Sequence, residues 1–224
     1  MKKILILFLA LFLTIKLSYS QYDGNFRLGL KAAPSIGWIK AKSDTIEADG
    51  THIGFSFGLI SEFVLADNYS FATGFDIASI GGKSKYTKIK PTELIYDEYK
   101  LKYLEIPLTL KMKTNQVNAA SFYGQIGLGL GFNLGAKSDQ KVTDINNVEI
   151  SGRSKTNLDV KKDINFVRAS LIIGGGTEIA IMGNTALLLG FTFNNGFLNM
   201  FSNSDTNEKN AINNYVALNI GILF

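Results

Sequence analysis

The feature that most constrains this chain is an alternation of apolar with small or polar residues, repeated in eight segments. Residues that alternate with period two lie on opposite faces of a β-strand, so each segment has one apolar face and one small or polar face. The pattern therefore predicts an all-β protein. The predicted strands are Phe26–Ile39, Gly54–Ala66, Tyr69–Ile80, Tyr103–Lys113, Ser121–Gly135, Phe166–Ile181, Thr185–Asn194 and Asn214–Phe224.

The connections between these strands alternate between short and long. Tight turns are predicted at Asp67–Asn68, near Asn115 and at Gly183–Asn184. The other four links are long and polar: Ala41–Ile53, Gly81–Lys102, Ala136–Asn165 and Asn195–Asn213. Outer-membrane barrels have short periplasmic turns and long outer loops, and their strands need about ten residues to cross the bilayer. The sequence therefore predicts an eight-stranded antiparallel up-and-down transmembrane β-barrel with both termini in the periplasm.

The first 20 residues have the pattern of a secretory signal. Lys2 and Lys3 precede the apolar run Ile4–Ile15, and small residues at Ser18 and Ser20 mark a cleavage site. We expect residues 1–20 to be removed and residues 21–224 to form one barrel domain in the outer membrane of a Gram-negative bacterium. Cleavage lowers the number of basic residues from 23 to 20, against 19 acidic ones. The mature chain is then nearly neutral and does not indicate nucleic-acid binding.

Charged residues also occur on the small, polar faces, which would line the barrel interior. An eight-stranded barrel has a lumen just wide enough for side chains, and an unpaired buried ion costs several kcal/mol. We therefore expect these charges to pair as a structural network, and a gated conduit or a proton-linked switch is the alternative. The eight residues are Arg27, Lys31, Glu62, Asp76, Glu105, Lys111, Arg168 and Glu178. Asp76, Glu105 and Arg168 are expected in the outer half and the other five in the periplasmic half.

Sites for catalysis or metal binding are weakly indicated. The chain has no cysteine, and its one histidine, His52, falls in the first predicted outer loop. Some outer-membrane barrels are lipid hydrolases that use histidine with serine, but the spacing to Ser56 does not ensure hydrogen-bond reach. We expect a solvated loop histidine, no catalytic residue, no metal and no cofactor. Pro34 and Pro107 lie within strands, and each predicts a bulge or a lost hydrogen bond.

One strand also carries a family resemblance. The segment Tyr103-Leu-Glu-Ile-Pro-Leu-Thr-Leu-Lys111 resembles the YLEIP-type strand of the PorT-like outer-membrane β-barrel family. The resemblance implies an eight-stranded outer-membrane barrel and supplies no catalytic residue. The family's namesake supports type IX secretion, and a secretion role for this chain is implied only through that protein. The terminal Phe224 resembles the signal that the barrel assembly machinery reads, so this machinery is an expected partner during biogenesis.

Together these features favour a non-enzymatic outer-membrane protein with a structural, surface-binding or secretion-accessory role. Three alternatives stay open: a narrow porin, a lipid-modifying enzyme, and a soluble lipocalin-like barrel that binds a ligand. The expected partners are outer-membrane lipid and lipopolysaccharide, and a secretion-system or surface protein, but not nucleic acid. A lysine-rich segment is expected to contact lipopolysaccharide phosphates through Lys83, Lys85, Lys88 and Lys90.

Overall fold

The computed structural model describes residues 26–43, 46–87, 93–202 and 209–224. The predicted signal segment, Lys88 and Lys90 lie outside these ranges. The described residues form one 3-10 helix, Lys161–Asp163, and nine strands. The strands are β1 (Phe26–Ala41), β2 (Glu47–Ala66), β3 (Tyr69–Thr87), β4 (Glu93–Lys113), β5 (Ala120–Asp144), β6 (Lys155–Asp159), β7 (Val167–Met182), β8 (Thr185–Gly196) and β9 (Ala211–Leu223). Among the described residues, no helix has the length and apolar character that crossing a membrane requires.

The eight long strands form a closed antiparallel ring. Each pairs with the next long strand in the chain, and β9 pairs with β1 to complete the circle. The short strand β6 lies outside this ring and pairs with the far end of β5. Closure pairs the strand edges that an open sheet would leave exposed. The predicted eight-stranded up-and-down barrel is therefore confirmed.

The apolar faces of the strands point away from the barrel axis. Leu128 is 51% exposed and Ile220 is 45% exposed, although both lie in mid-strand. We call this outward band the apolar belt. One representative from each long strand is Leu30, Phe57, Phe75, Leu110, Leu128, Ile173, Phe191 and Ile220. A lipocalin-like barrel places its apolar residues inside, so that alternative is wrong.

Three of the predicted long loops contain extended parts of β-strands. Strand β2 begins at Glu47, β3 and β4 continue through most of residues 81–102, and β5 runs to Asp144. Beyond the belt the outward side chains meet water. There the outward face of each strand is polar and the inward face is apolar, the reverse of the arrangement within the belt. Leu101 is only 1% exposed, whereas its neighbours Lys100 and Lys102 face outward. We call this end of the barrel the loop end, and the opposite end, which holds the tight turns and Phe224, the turn end.

Each of the two strand prolines interrupts the ladder on one side of its own strand. The β1–β9 pairing breaks at Pro34 and the β3–β4 pairing breaks at Pro107, and each ladder resumes in the same register. The sequence-predicted defect is therefore lost pairing rather than a bulge. Gly74 lies in the second gap with φ of 156°, and a Cβ there would meet the Leu59 carbonyl oxygen at 2.0 Å.

Candidate functional site: the filled lumen and the loop end

Lys111 is the centre of a buried charge cluster in the turn half of the lumen. Its Nζ donates to Glu62 Oε1 at 2.5 Å and also to Glu178 Oε1. Arg27 Nη1 donates to Glu178 Oε2 at 2.7 Å and to Glu62 Oε2 at 3.3 Å. Lys113 adds a third cation, 3.3 Å from Glu178. These groups come from four different strands across the cylinder, so the cluster ties opposite walls of the barrel together.

A second buried network fills the loop half of the lumen around Arg168. Its Nη1 donates to Glu105 Oε1 at 2.8 Å and its Nη2 donates to Asn194 Oδ1 at 2.8 Å. Tyr215 donates its hydroxyl to the other Glu105 oxygen at 2.5 Å, and Asn194 Nδ2 donates to that hydroxyl at 2.9 Å. Arginine and glutamate are therefore paired with each other and bonded to neutral groups as well, which offsets their loss of hydration.

A single ion pair lies between these two networks. Lys31 Nζ is 2.7 Å from Asp76 Oδ2. Asp76 is also the ladder partner of Glu105, so the middle pair adjoins the Arg168 network. Lys31 and Asp76, which the sequence assigned to different halves, therefore meet between them. The structure places all eight sequence-predicted charges in the interior and brings them into these three groups.

The lumen has room for the Tyr123 ring because a nearby strand carries glycine where the ring lies. The Tyr123 ring lies 4.3 Å from Lys111 Nζ, in cation–π contact. A Cβ on Gly190 would lie 2.2 Å from the Tyr123 hydroxyl. Tyr123 can lie across β7 toward β8 only because β8 has no side chain at this point.

An apolar cluster closes the loop half of the interior, and the sequence analysis missed it. Tyr99 and Phe201 pack edge to face with ring centroids 5.5 Å apart. We call this cluster the apolar cap. Its larger buried members are Ile39, Ile46, Ile80, Tyr99, Leu101, Tyr103, Ile164, Met200, Phe201 and Tyr215. The signal was present in β4, where residues 95, 99, 101 and 103 are apolar or aromatic and alternate with polar ones, but on the face opposite to the belt.

A carboxylate lies buried among polar side chains beside the apolar cap. Asp97 accepts hydrogen bonds from the Tyr99 hydroxyl at 3.1 Å and from Gln140 Nε2 at 3.1 Å. Burial and the nearby Asp97 carboxylate raise the pKa of Tyr99 well above its ordinary value, so its hydroxyl stays a donor at neutral pH. The bond from Gln140 links β5 to β4 above the belt.

The cavities of the lumen are small and differ in position. A vestibule of about 220 Å³ opens at the turn end and reaches Arg27 and Glu178. A smaller space of about 40 Å³ lies deeper, between Lys31, Lys111 and Asn219. The charge cluster around Lys111 borders both spaces. A space of 40 Å³ has room for about one water molecule.

His52 is not the solvated loop residue that the sequence predicted. It lies within β2, its side chain is 13% exposed, and its Nδ1 is 3.0 Å from Glu98 Oε1. The hydrogen bond with His52, together with the nearby Lys83, lowers the pKa of Glu98, so this carboxylate is ionised at neutral pH. The prediction failed because β2 continues beyond the belt and folds His52 against Gly81. Its hydrogen-bond partner is Glu98 and not Ser56.

The family of the chain is defined by its sequence. The profile of the family described as "Outer membrane protein beta-barrel domain" matches residues 19–202. The chain belongs to this family and is an outer-membrane β-barrel protein. No curated protein matches it. Membership of the narrower PorT-like family stays a prediction.

Solved outer-membrane barrels are similar to the chain at low identity. Neisserial surface protein A is 15% identical, with 89% of this chain and 96% of that chain covered and a TM-score of 0.47. OprG from Pseudomonas aeruginosa is 10% identical, with 88% and 95% covered and a TM-score of 0.42. Ail, the attachment invasion locus protein of Yersinia pestis, is 12% identical, with 88% and 98% covered and a TM-score of 0.32. These likenesses assign no role to any residue of this chain.

Proposed function

We propose that this protein is a non-enzymatic outer-membrane barrel whose lumen is sealed and whose loop end carries its function. That function is binding at the cell surface or support of a secretion system. The turn end faces the periplasm and the loop end faces outward, since short periplasmic turns and long outer extensions are the usual arrangement of such barrels. The barrel assembly machinery recognises Phe224 during insertion.

The observation that carries the proposal is the filling of the lumen by paired charges. Lys111, Glu62 and Glu178 are almost fully buried, with side chains 2–4% exposed, and they meet near the barrel axis. Above them lie the Arg168 network and then the apolar cap. An ion crossing this interior would have to displace paired charges and then pass an apolar layer, and both are unfavourable.

A narrow channel is the second candidate. The turn-end vestibule of about 220 Å³ favours it, because an aqueous space already reaches the Arg27–Glu178 pair. Conduction would then require the Lys111 and Arg168 networks to open together. An enzymatic role has less support, because His52 is bonded to Glu98 and the pair with Ser56 is not formed.

Arg168→Ala tests the sealed lumen directly. We expect the refolded wild-type protein to show no steady conductance in planar bilayers, and we expect the same of Arg168→Ala. The variant should unfold at a lower urea concentration in lipid vesicles, because Glu105 loses its ion partner and keeps only the hydrogen bond from Tyr215. The measurements are single-channel recording and urea unfolding.

The matched control is Arg153→Ala at the loop end. Arg153 also pairs with a glutamate, Glu93 at 3.1 Å, but its side chain is 48% exposed. An exposed pair of this kind contributes about 0–1 kcal/mol. Steady current through the wild-type barrel, or through Arg168→Ala with unchanged stability, would overturn the sealed lumen and favour the channel.

A further inference from the structure

Five basic residues of the loop end each have an acidic partner. The pairs are Lys83 with Glu98, Lys85 with Glu47, Lys100 with Asp139, Lys141 with Glu149 and Arg153 with Glu93. Lys83 and Lys85, which were expected to contact lipopolysaccharide, each have a carboxylate beside them, and their role in lipid binding stays a prediction.

Three exposed lysines at the rim of the apolar belt differ from these. Lys102, Lys137 and Lys161 form no ion pair with any carboxylate of the described chain. Asp159 lies opposite Lys137 in the β5–β6 ladder, but its Oδ1 accepts the backbone N–H of Lys161 instead. Each of the three side chains is exposed to the outside of the barrel.

The backbone brings these three lysines close to one segment of β5, residues 134–137. Lys102 pairs with Gly135, two residues before Lys137, and Lys161 Nζ donates to the carbonyl oxygen of Leu134 at 3.1 Å. Diagonal neighbours on adjacent strands lie about 7–8 Å apart. Lys100 is directly opposite Lys137, and like charges in that position repel each other. Against these four cations the patch holds two acids, Asp139 and Asp159, so two positive charges are in excess.

The patch is continuous with lipid-facing side chains. Leu134 and Leu130 are exposed on the same strand, and Phe166 packs near Phe132 with ring centroids 5.9 Å apart. A ligand that fits here has phosphate groups at the lysines and hydrocarbon against the belt. Lysine binds phosphate as a point charge, and two excess charges suit a lipid with more than one phosphate.

We propose that Lys102, Lys137 and Lys161 bind the phosphates of the lipid A part of lipopolysaccharide, with its acyl chains on Leu130, Leu134 and Phe166. The site deepens the proposed function and rests on its one assumption that the loop end faces outward. Lipid A is the phosphorylated lipid of the outward leaflet. Phosphatidylglycerol, which carries one phosphate, is the other lipid that could place a phosphate at these lysines.

The test is lipid binding by the full refolded chain in detergent micelles, measured by native mass spectrometry. The ligands are lipid A, chemically dephosphorylated lipid A and phosphatidylglycerol. The triple variant Lys102→Gln, Lys137→Gln and Lys161→Gln should bind lipid A about tenfold more weakly than wild type, because three exposed charge contacts are lost. Wild type should prefer lipid A over both other lipids.

The control is the triple variant Lys40→Gln, Lys42→Gln and Lys155→Gln, which removes the same charge from exposed loop-end sites outside the patch. It should retain wild-type affinity, and both variants should keep the heat-modifiable mobility of a folded barrel. The site would be overturned if both triple variants lost the same affinity for lipid A, or if the Lys102, Lys137 and Lys161 variant lost none. Equal binding of lipid A and dephosphorylated lipid A by the wild type would overturn it as well. A preference for phosphatidylglycerol would overturn the assignment to lipid A. Conductance in planar bilayers tests the sealed lumen separately, so either proposal can fail alone.

Discussion

Lys111→Met is expected to lower the free energy of unfolding by about 4 kcal/mol, because breaking a buried ion cluster leaves uncompensated charge in a low-dielectric interior. Lys111 is the cation shared by Glu62 and Glu178, and its removal leaves the two carboxylates with Arg27 and the half-exposed Lys113. Urea unfolding of the barrel refolded in lipid vesicles measures the loss, followed by the fluorescence of the single tryptophan, Trp38.

Two further variants separate charge from packing at this site. Lys113→Met removes a more exposed cation from the same cluster and should cost about 0–1 kcal/mol. Adding Glu62→Gln to Lys111→Met removes one of the two stranded carboxylates and should recover part of the lost stability. Wild-type stability in Lys111→Met, or no recovery in the double variant, would contradict the role we assign to the cluster.

Leu128→Arg is expected to destabilise the inserted barrel by up to about 4 kcal/mol, because an arginine on the lipid face is most costly at the bilayer midplane. Leu128 is 51% exposed and lies on β5 midway between Phe122 and Leu134. Its side chain makes few contacts within the protein, so the expected loss comes from contact with lipid. Urea unfolding in vesicles of fixed composition measures it.

The matched control for this prediction is Leu134→Arg on the same strand. Leu134 faces outward too, but it lies at the rim beside Gly135, where β5 pairs with Lys102. Near the interface the same substitution costs about 0–1 kcal/mol. Equal losses at the two positions would show that depth in the membrane does not matter, and would contradict the assignment of the apolar belt to lipid.

The eight membrane strands could be predicted from the sequence because one physical rule governs them throughout. Lipid outside and a narrow polar lumen inside require the same alternation on every strand. The rule changes where β4 and β5 leave the belt. There Leu101 and Tyr99 turn inward and Lys100 turns outward, so a search for outward apolar faces assigned strand residues to loops.

The interior charges were predictable as a set but their partners were not. The alternation of side chains along a strand shows that Arg27 and Glu178 face inward. Whether they meet depends on the stagger of β1 relative to β7, which are not ladder neighbours, and no local pattern encodes that stagger. His52 shows the same limit, since its partner Glu98 lies 46 residues away.

The most direct test of the account is the accessibility of a nitroxide label at position 128 in the membrane-inserted protein. The chain has no cysteine, so Leu128→Cys and, as the water-facing reference, Lys155→Cys each give one labelled site. We expect the label at 128 to collide with oxygen dissolved in the bilayer and to be shielded from a water-soluble nickel chelate, whereas the label at 155 is reached by nickel. A label at 128 that neither reagent reaches would place that side chain inside the protein and contradict the account.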